Sequence, residues 1–68
     1  MKNIRVGDRI EMVHMEDPFH PIEPGQRGTV IYIDDIGQIH MHWDNGSTLA
    51  IIPEEDEFIL LDEEDEAK

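Results

Sequence analysis

The chain has 68 residues, no cysteine and a formal net charge of −12. A chain of this length forms one domain and buries only about 60% of its unfolded surface, which leaves little interior for a catalytic pocket. The lack of cysteine excludes disulfides and thiolate zinc sites, and the acidic charge argues against binding to nucleic-acid phosphates or anionic membranes. Because no apolar run approaches the roughly 20 residues of a membrane span and no signal-peptide pattern follows the first Met, the sequence predicts a cytoplasmic protein.

The first predicted strand, Arg9–Met15, shows apolar residues at alternate positions. The next segment, residues 16–27, contains three prolines, which fix φ and remove backbone donors. We therefore expect a long, stiff first loop in which Pro24-Gly25 forms the centre of a type II turn. Phe19 and Ile22 are expected to fold back onto the core.

The second and third predicted strands are Gly28–Ile33, rich in β-branched residues, and Gln38–Trp43, in which apolar and polar residues alternate. Asn45-Gly46 follows the third strand. An Asn-Gly pair between two strand-like runs predicts a type I′ hairpin, in which both central residues have positive φ. The return run, Ser47–Ile52, is the predicted fourth strand.

Pro53 ends the fourth strand, and the acids behind it suit a single helical turn. Phe58–Leu61 is the predicted fifth strand, because an isolated helix this short is marginal. The sequence therefore predicts an all-β fold, a small five-stranded SH3-like barrel with a long Pro-rich first loop and an acidic C-terminal tail. Tyr32 lies two positions after Val30 and is therefore assigned to the same face of the strand. Alternation predicts one core formed by Ile10, Met12, Val30, Ile39, Met41, Trp43, Leu49, Ile51 and Phe58.

Seven short motifs, made mostly of turn residues, resemble those of a known family. They are Val6-Gly7-Asp8-Arg9-Ile10, Asp17-Pro18, Pro24-Gly25, Arg27-Gly28-Thr29-Val30, Asp35-Ile36-Gly37-Gln38-Ile39, Trp43-Asp44-Asn45-Gly46-Ser47 and Ile52-Pro53. Together they resemble an uncharacterised family of short SH3-like proteins carried mainly by phages and mobile elements of bacteria. The resemblance implies a small barrel in such a setting and implies no catalytic residues. A looser similarity links Gly7-Asp8-Arg9-Ile10 and Gly25–Val30 to a barrel motif of ribosomal proteins and transcription factors, but the acids near the second segment make direct nucleic-acid binding unexpected.

Most of the negative charge lies near the C-terminal end, since residues 1–53 have a net charge of −4 and residues 54–68 one of −8. We assign residues 1–61 to the SH3-like barrel and residues 62–68 to an acidic, flexible tail.

An acidic surface speeds encounter with positive patches, so the leading hypothesis is a non-catalytic module that binds a basic protein. In a phage or mobile-element setting, it would inhibit a host nucleic-acid-binding protein. The predicted partner-binding residues are Glu54, Glu55, Asp56, Glu57, Asp17 and Phe19.

Two alternatives stay open beside this hypothesis. Apolar residues on both faces of the second strand favour a self-associating accessory or assembly protein, such as a homodimer. His40 and His42 project from one face of a strand and form a candidate metal pair, which His14, His20 or a carboxylate could complete. The leading hypothesis includes no metal, cofactor or enzymatic activity, because no nucleophile–base arrangement and no phosphate-cradling loop occurs.

Overall fold

The computed structural model describes residues 4–15 and 22–61 of the chain. Four strands form one antiparallel sheet, and the described residues contain no helix. The strands are β1 (Arg9–His14), β2 (Arg27–Ile33), β3 (Ile39–Trp43) and β4 (Glu57–Leu61). The predicted all-β class is confirmed.

The sheet has the strand order β3-β2-β1-β4, so the chain returns after β3 to the opposite edge of the sheet and pairs with β1. The Pro24-Gly25 turn leads into β2 as predicted. Gln26 N–H donates to the Glu23 carbonyl at 3.1 Å, and Gly25 has a φ of 91°, the value that a type II turn requires at its third residue. Residues 16–21, including Phe19, lie outside the described residues.

The turn after β3 differs from the predicted type I′ turn. Gly46 N–H donates to the Trp43 carbonyl at 2.9 Å, so the central residues are Asp44 and Asn45. Positive φ occurs only at glycines among the described residues, and Gly46 has a φ of 93°. This is a type I turn followed by a glycine bulge, which shifts the turn by one residue and leaves Asn45 in an ordinary conformation.

The predicted fourth strand, Ser47–Ile52, is not a strand in this fold. It is tied to β3 only at its two ends, where Ser47 accepts a bond from Trp43 N–H at 2.9 Å and Ile51 forms an isolated bridge with Ile39. Between these points the backbone of Leu49 is bonded to side chains and not to the backbone of β3. Its carbonyl accepts the Trp43 indole N–H at 2.8 Å and its N–H donates to Ser47 Oγ. These side-chain bonds replace a regular ladder, so the described residues contain four strands where five were predicted.

Nine buried apolar side chains form the core on one face of the sheet, and all of them except Met15 were expected there. The nine are Ile10, Met12, Met15, Ile22, Val30, Ile39, Met41, Trp43 and Ile51. Leu49 and Phe58, also predicted, pack against this cluster while partly exposed. Ile22 folds back onto the core as expected, at 3% exposure. Burial of side chains of this size stabilises the fold by about 1.5–3 kcal/mol each.

The prediction that Tyr32 lies on the same face as Val30 is wrong, because a β-bulge separates the two residues. Val30 pairs with Met41, but the next paired residue of β2 is Tyr32, opposite His40. The extra residue reverses the alternation, so Tyr32 points outward with 55% exposure while Ile33 packs against the core.

Candidate protein-interaction surface

The turn that precedes β4 has a fixed backbone. We call residues 53–57 the acidic turn; its last residue, Glu57, is also the first residue of β4. Glu55 N–H and Asp56 N–H both donate to the Ile52 carbonyl at 2.9 Å, closing a single turn of chain. Pro53 lies at its start, where a missing N–H costs no hydrogen bond.

Asp56 holds this turn together. Its Oδ2 accepts the Ile52 N–H at 2.9 Å, and the residue is only 8% exposed. Asp56 therefore contributes to the fold of the acidic turn, whereas the other three predicted carboxylates, those of Glu54, Glu55 and Glu57, are exposed. The acidic turn therefore has three exposed carboxylates, and the fourth, that of Asp56, stabilises the backbone of the turn.

The arginines on the outward face of the sheet contact the protein's own carboxylates. Arg9 forms a two-point ion pair with Asp44, with Nη1–Oδ1 and Nη2–Oδ2 distances of 2.8 and 2.6 Å. The hydrogen bond from Arg9 lowers the pKa of the Asp44 carboxyl below its usual value. Arg27 Nε donates to Glu11 Oε1 at 3.0 Å. Two cationic groups that could contact a phosphate are thus partly neutralised within the chain.

The predicted histidine pair does lie on one face of β3, since His40 and His42 alternate with the buried Ile39, Met41 and Trp43. His40 Nε2 is hydrogen-bonded to Asp34 Oδ2 at 2.9 Å, and its ring lies 5.5 Å from that of Tyr32. Within residues 4–15 and 22–61, no three His, Cys, Asp or Glu side chains come together as a metal site.

Asp34 organises the turn between β2 and β3. Its Oδ1 accepts the N–H groups of Ile36 and Gln38 at 3.1 and 2.9 Å. The hydrogen bond with His40 and these two backbone bonds lower the pKa of the Asp34 carboxyl, outweighing the opposing effect of desolvation. His40 is therefore engaged in a structural contact in this fold.

The remaining predicted residues have separate outcomes. Asp17 and Phe19 lie outside the described residues. Trp43 is 1% exposed, as predicted for a core residue. The Arg9–Asp44 pair has no local sequence signal, because its partners are 35 positions apart. No helix formed by the described residues has the length and hydropathy needed to cross a membrane.

A comparison with protein families matches residues 2–61 to the domain of unknown function DUF4314. The chain belongs to the DUF4314 family. The comparisons with curated proteins and with solved structures found no match.

The DUF4314 match includes all four strands and the acidic turn. It ends at residue 61, where β4 also ends. The acidic residues 62–66 follow the family domain in the sequence. The acidic turn is therefore a feature of the DUF4314 domain itself in this chain.

Proposed function

We propose that this DUF4314 domain is a non-catalytic protein-binding module that recognises a basic partner through the acidic turn. The supporting observation is the position of Glu54, Glu55 and Glu57, three exposed carboxylates on a turn held by the buried Asp56. A fixed backbone lowers the entropy that binding costs, so these charges are better suited to recognition than the same charges in a flexible segment.

Electrostatics favours a cationic partner at this turn. Adjacent carboxylates lie within the Debye length, about 10 Å at 0.1 M salt, and repel one another. A partner bearing lysine or arginine relieves that repulsion and is drawn to the turn during encounter. We therefore expect an association rate that falls as the salt concentration rises.

The fold of this module is proposed to be an SH3-like barrel. Three features support that assignment: a sheet with β1 between β2 and β4, the bridge from Ile51 back to β3, and a short turn immediately before the last strand. Such barrels bind partners with loops and strand edges while the core stays intact.

The phage or mobile-element form of the proposal is an inhibitor that occupies the nucleic-acid groove of a host protein. Clustered carboxylates resemble the spacing of charge along a phosphate backbone, and basic grooves attract both. The resemblance of the turn motifs to phage-borne proteins supports this version, with host nucleases and transcription enzymes as the partner class.

Affinity capture from a bacterial host lysate tests the proposal. The full chain and its Glu54→Gln/Glu55→Gln variant are immobilised, and the captured proteins are identified and their dissociation constants measured at low and high salt. We expect the variant to bind the captured basic protein roughly tenfold more weakly at low salt, since two partly exposed ion pairs are lost.

A matched control removes two exposed carboxylates elsewhere. Glu23→Gln/Asp35→Asn changes the net charge by the same amount but leaves the acidic turn intact. It is expected to reduce the affinity far less. Equal weakening by the two double variants would indicate only a non-specific charge effect, and unchanged binding by both would overturn the proposal.

Self-association is a second candidate, favoured by exposed apolar side chains around the β2–β3 turn. Ile31, Tyr32 and Ile36 are 51%, 55% and 78% exposed. Apolar surface of this kind marks interfaces. Sedimentation at several concentrations separates the candidates, because a dimer that persists at high salt and dissociates in Ile36→Ser supports self-association.

A further inference from the structure

We propose that the outer edge of β4 is the docking site for an extended segment of the basic partner, which joins the sheet as an additional strand. This inference rests on the proposed function, because it specifies how a partner attracted to the acidic turn is held. The proposed segment has basic residues at the end that lies beside the acidic turn, and its other residues alternate between apolar and polar.

β4 lies at one end of the sheet. The strand order is β3-β2-β1-β4, and among the described residues β4 forms its ladder with β1 alone. The opposite edge is partly covered, since β3 is bonded to Ser47 and Ile51. β4 is thus the edge to which a further strand can be added.

The pairing register identifies the backbone groups at this edge. In an antiparallel pair, residues that exchange hydrogen bonds alternate with residues that do not. Met12 directs its N–H and carbonyl toward β2, where they bond Gln26 and Gly25 at 2.8 Å. Its partner on β4 is Phe58, which therefore occupies a non-hydrogen-bonded position.

The same alternation applies two residues further along, where Leu60 faces Ile10. Phe58 and Leu60 consequently direct their N–H and carbonyl groups away from β1. Outside the strand ladders, the backbone hydrogen bonds of the described residues include none to these groups. They offer two donors and two acceptors at the spacing that an added strand uses.

The side chains of β4 specify the middle of the partner segment. Phe58 and Leu60 pack against the core while partly exposed, and Ile59 on the other face is 48% exposed. A neighbouring strand with apolar side chains would cover these surfaces through cross-strand pairs. The centre of the docked segment is therefore expected to be apolar.

Charge decides between a basic partner and a second copy of this chain. Glu54 and Glu55 precede β4, and Glu57 is its first residue. Two copies of a chain with a net charge of −12 repel each other, and parallel pairing of two β4 strands would also bring one acidic turn beside the other. A segment with lysine or arginine at the end beside the acidic turn would instead meet opposite charge there.

The test uses the full chain and a synthetic peptide of alternating valine and threonine with lysines at both termini. A second peptide has the same sequence, but the amides along one edge are N-methylated, which preserves its charge and removes its donors. We expect the first peptide to slow hydrogen exchange at the Phe58 and Leu60 amides by about tenfold, and the second to bind about tenfold more weakly.

A pair of protein variants provides the matched control. Leu60→Pro removes the outward N–H without removing a bond to β1, and proline is tolerated at such edge positions. Leu60→Ala loses similar side-chain packing but keeps the N–H. Leu60→Pro is expected to bind the unmodified peptide about fivefold more weakly than Leu60→Ala, because the Leu60 N–H can no longer donate to a peptide carbonyl. If Leu60→Pro does not fold, the two peptides still decide the question with the unaltered protein.

Several outcomes would overturn the inference. These are equal affinity for the two peptides, no added protection at Phe58 and Leu60, or a dimer of this chain paired through β4. The Glu54→Gln/Glu55→Gln variant shows whether only the docking of a strand at β4 is wrong or whether the proposed function is wrong as well. If that variant loses the captured partner while Leu60→Pro and Leu60→Ala bind it equally, the acidic turn is the recognition site and the edge is not. If it retains full affinity, the proposed function itself is wrong.

Discussion

Replacement of Gly28 by alanine is expected to destabilise this fold far more than one methyl group suggests. Gly28 faces the core from β2 and is paired directly with Trp43 on β3. A Cβ built on Gly28 would lie 2.8 Å from Trp43 Cε3, 2.9 Å from Trp43 Cα and 3.0 Å from the His42 carbonyl oxygen. The glycine therefore provides the space in which the indole packs against the sheet.

The size of the effect follows from which atoms are too close. Two of the three are backbone atoms of the neighbouring strand, which cannot move without disturbing the ladder. The third belongs to the indole, whose Nε1–H is fixed by its 2.8 Å bond to the Leu49 carbonyl. Overpacking costs about 1–3 kcal/mol, and we expect a value at the upper end, about 3 kcal/mol. For a domain of this size that loss lowers Tm by roughly 12–24 °C.

Thermal unfolding followed by Trp43 fluorescence measures this effect, with Gly46→Ala as the control. Gly46 has a φ of 93°, but a Cβ there would meet nothing within 4 Å. Its substitution therefore costs only the left-handed conformation, about 1–2 kcal/mol. A Gly28→Ala variant that unfolds at the wild-type temperature, or above the Gly46→Ala variant, would refute the packing described for the indole.

Three further outcomes are expected. Trp43→Phe leaves the partly buried Leu49 carbonyl without its indole donor and creates a cavity, so the free energy of unfolding should fall by about 2–3 kcal/mol in urea titration. Asp56→Ala should cost about 1–2 kcal/mol by the same measurement, because the Ile52 N–H loses its acceptor, whereas Glu54→Gln should be neutral within about 0.5 kcal/mol. The hydrogen bond from His40 gives Asp34 a lowered pKa, so its contribution to stability is present above the usual carboxyl pKa and is lost as the pH falls through the folded-state value. The stability difference between wild type and Asp34→Asn should therefore narrow below about pH 4, and a difference that stays constant with pH would contradict this role.

The sequence predicted the core well, because alternation is a direct consequence of strand geometry. Ile39, Met41 and Trp43 face inward while His40 and His42 face outward, and this assignment of faces follows from the alternation alone. Ile22 was placed on the core for a similarly simple reason: an isolated large apolar side chain in a polar loop gains most by burial.

Turn geometry and bulges were not predictable with the same reliability. An Asn-Gly pair is compatible with positive φ at both residues or at Gly46 alone, and the two options differ by one residue in hydrogen-bond register. The bulge after Val30 likewise reverses the face of Tyr32 without a local sequence signal. Ser47–Ile52 has strand-like composition, but the Leu49 carbonyl accepts a hydrogen bond from the Trp43 indole N–H and so does not join a strand ladder.

The acidic turn likewise has one property that the sequence predicts and one that only the folded structure shows. Its charge was evident from the sequence, but the four consecutive carboxylates of residues 54–57 look equivalent there. Asp56 differs from the other three because its carboxylate accepts a hydrogen bond from the Ile52 N–H. Only the folded chain shows which carboxylates remain exposed to a partner.

Chemical-shift mapping of the captured basic partner on the isotope-labelled full chain tests the central claim most directly. Recognition through the acidic turn predicts that the largest amide shifts fall at Glu54, Glu55 and Glu57 and along β4, and that they diminish as salt is added. Shifts concentrated instead around His40 and His42, with the acidic turn unaffected, would contradict it.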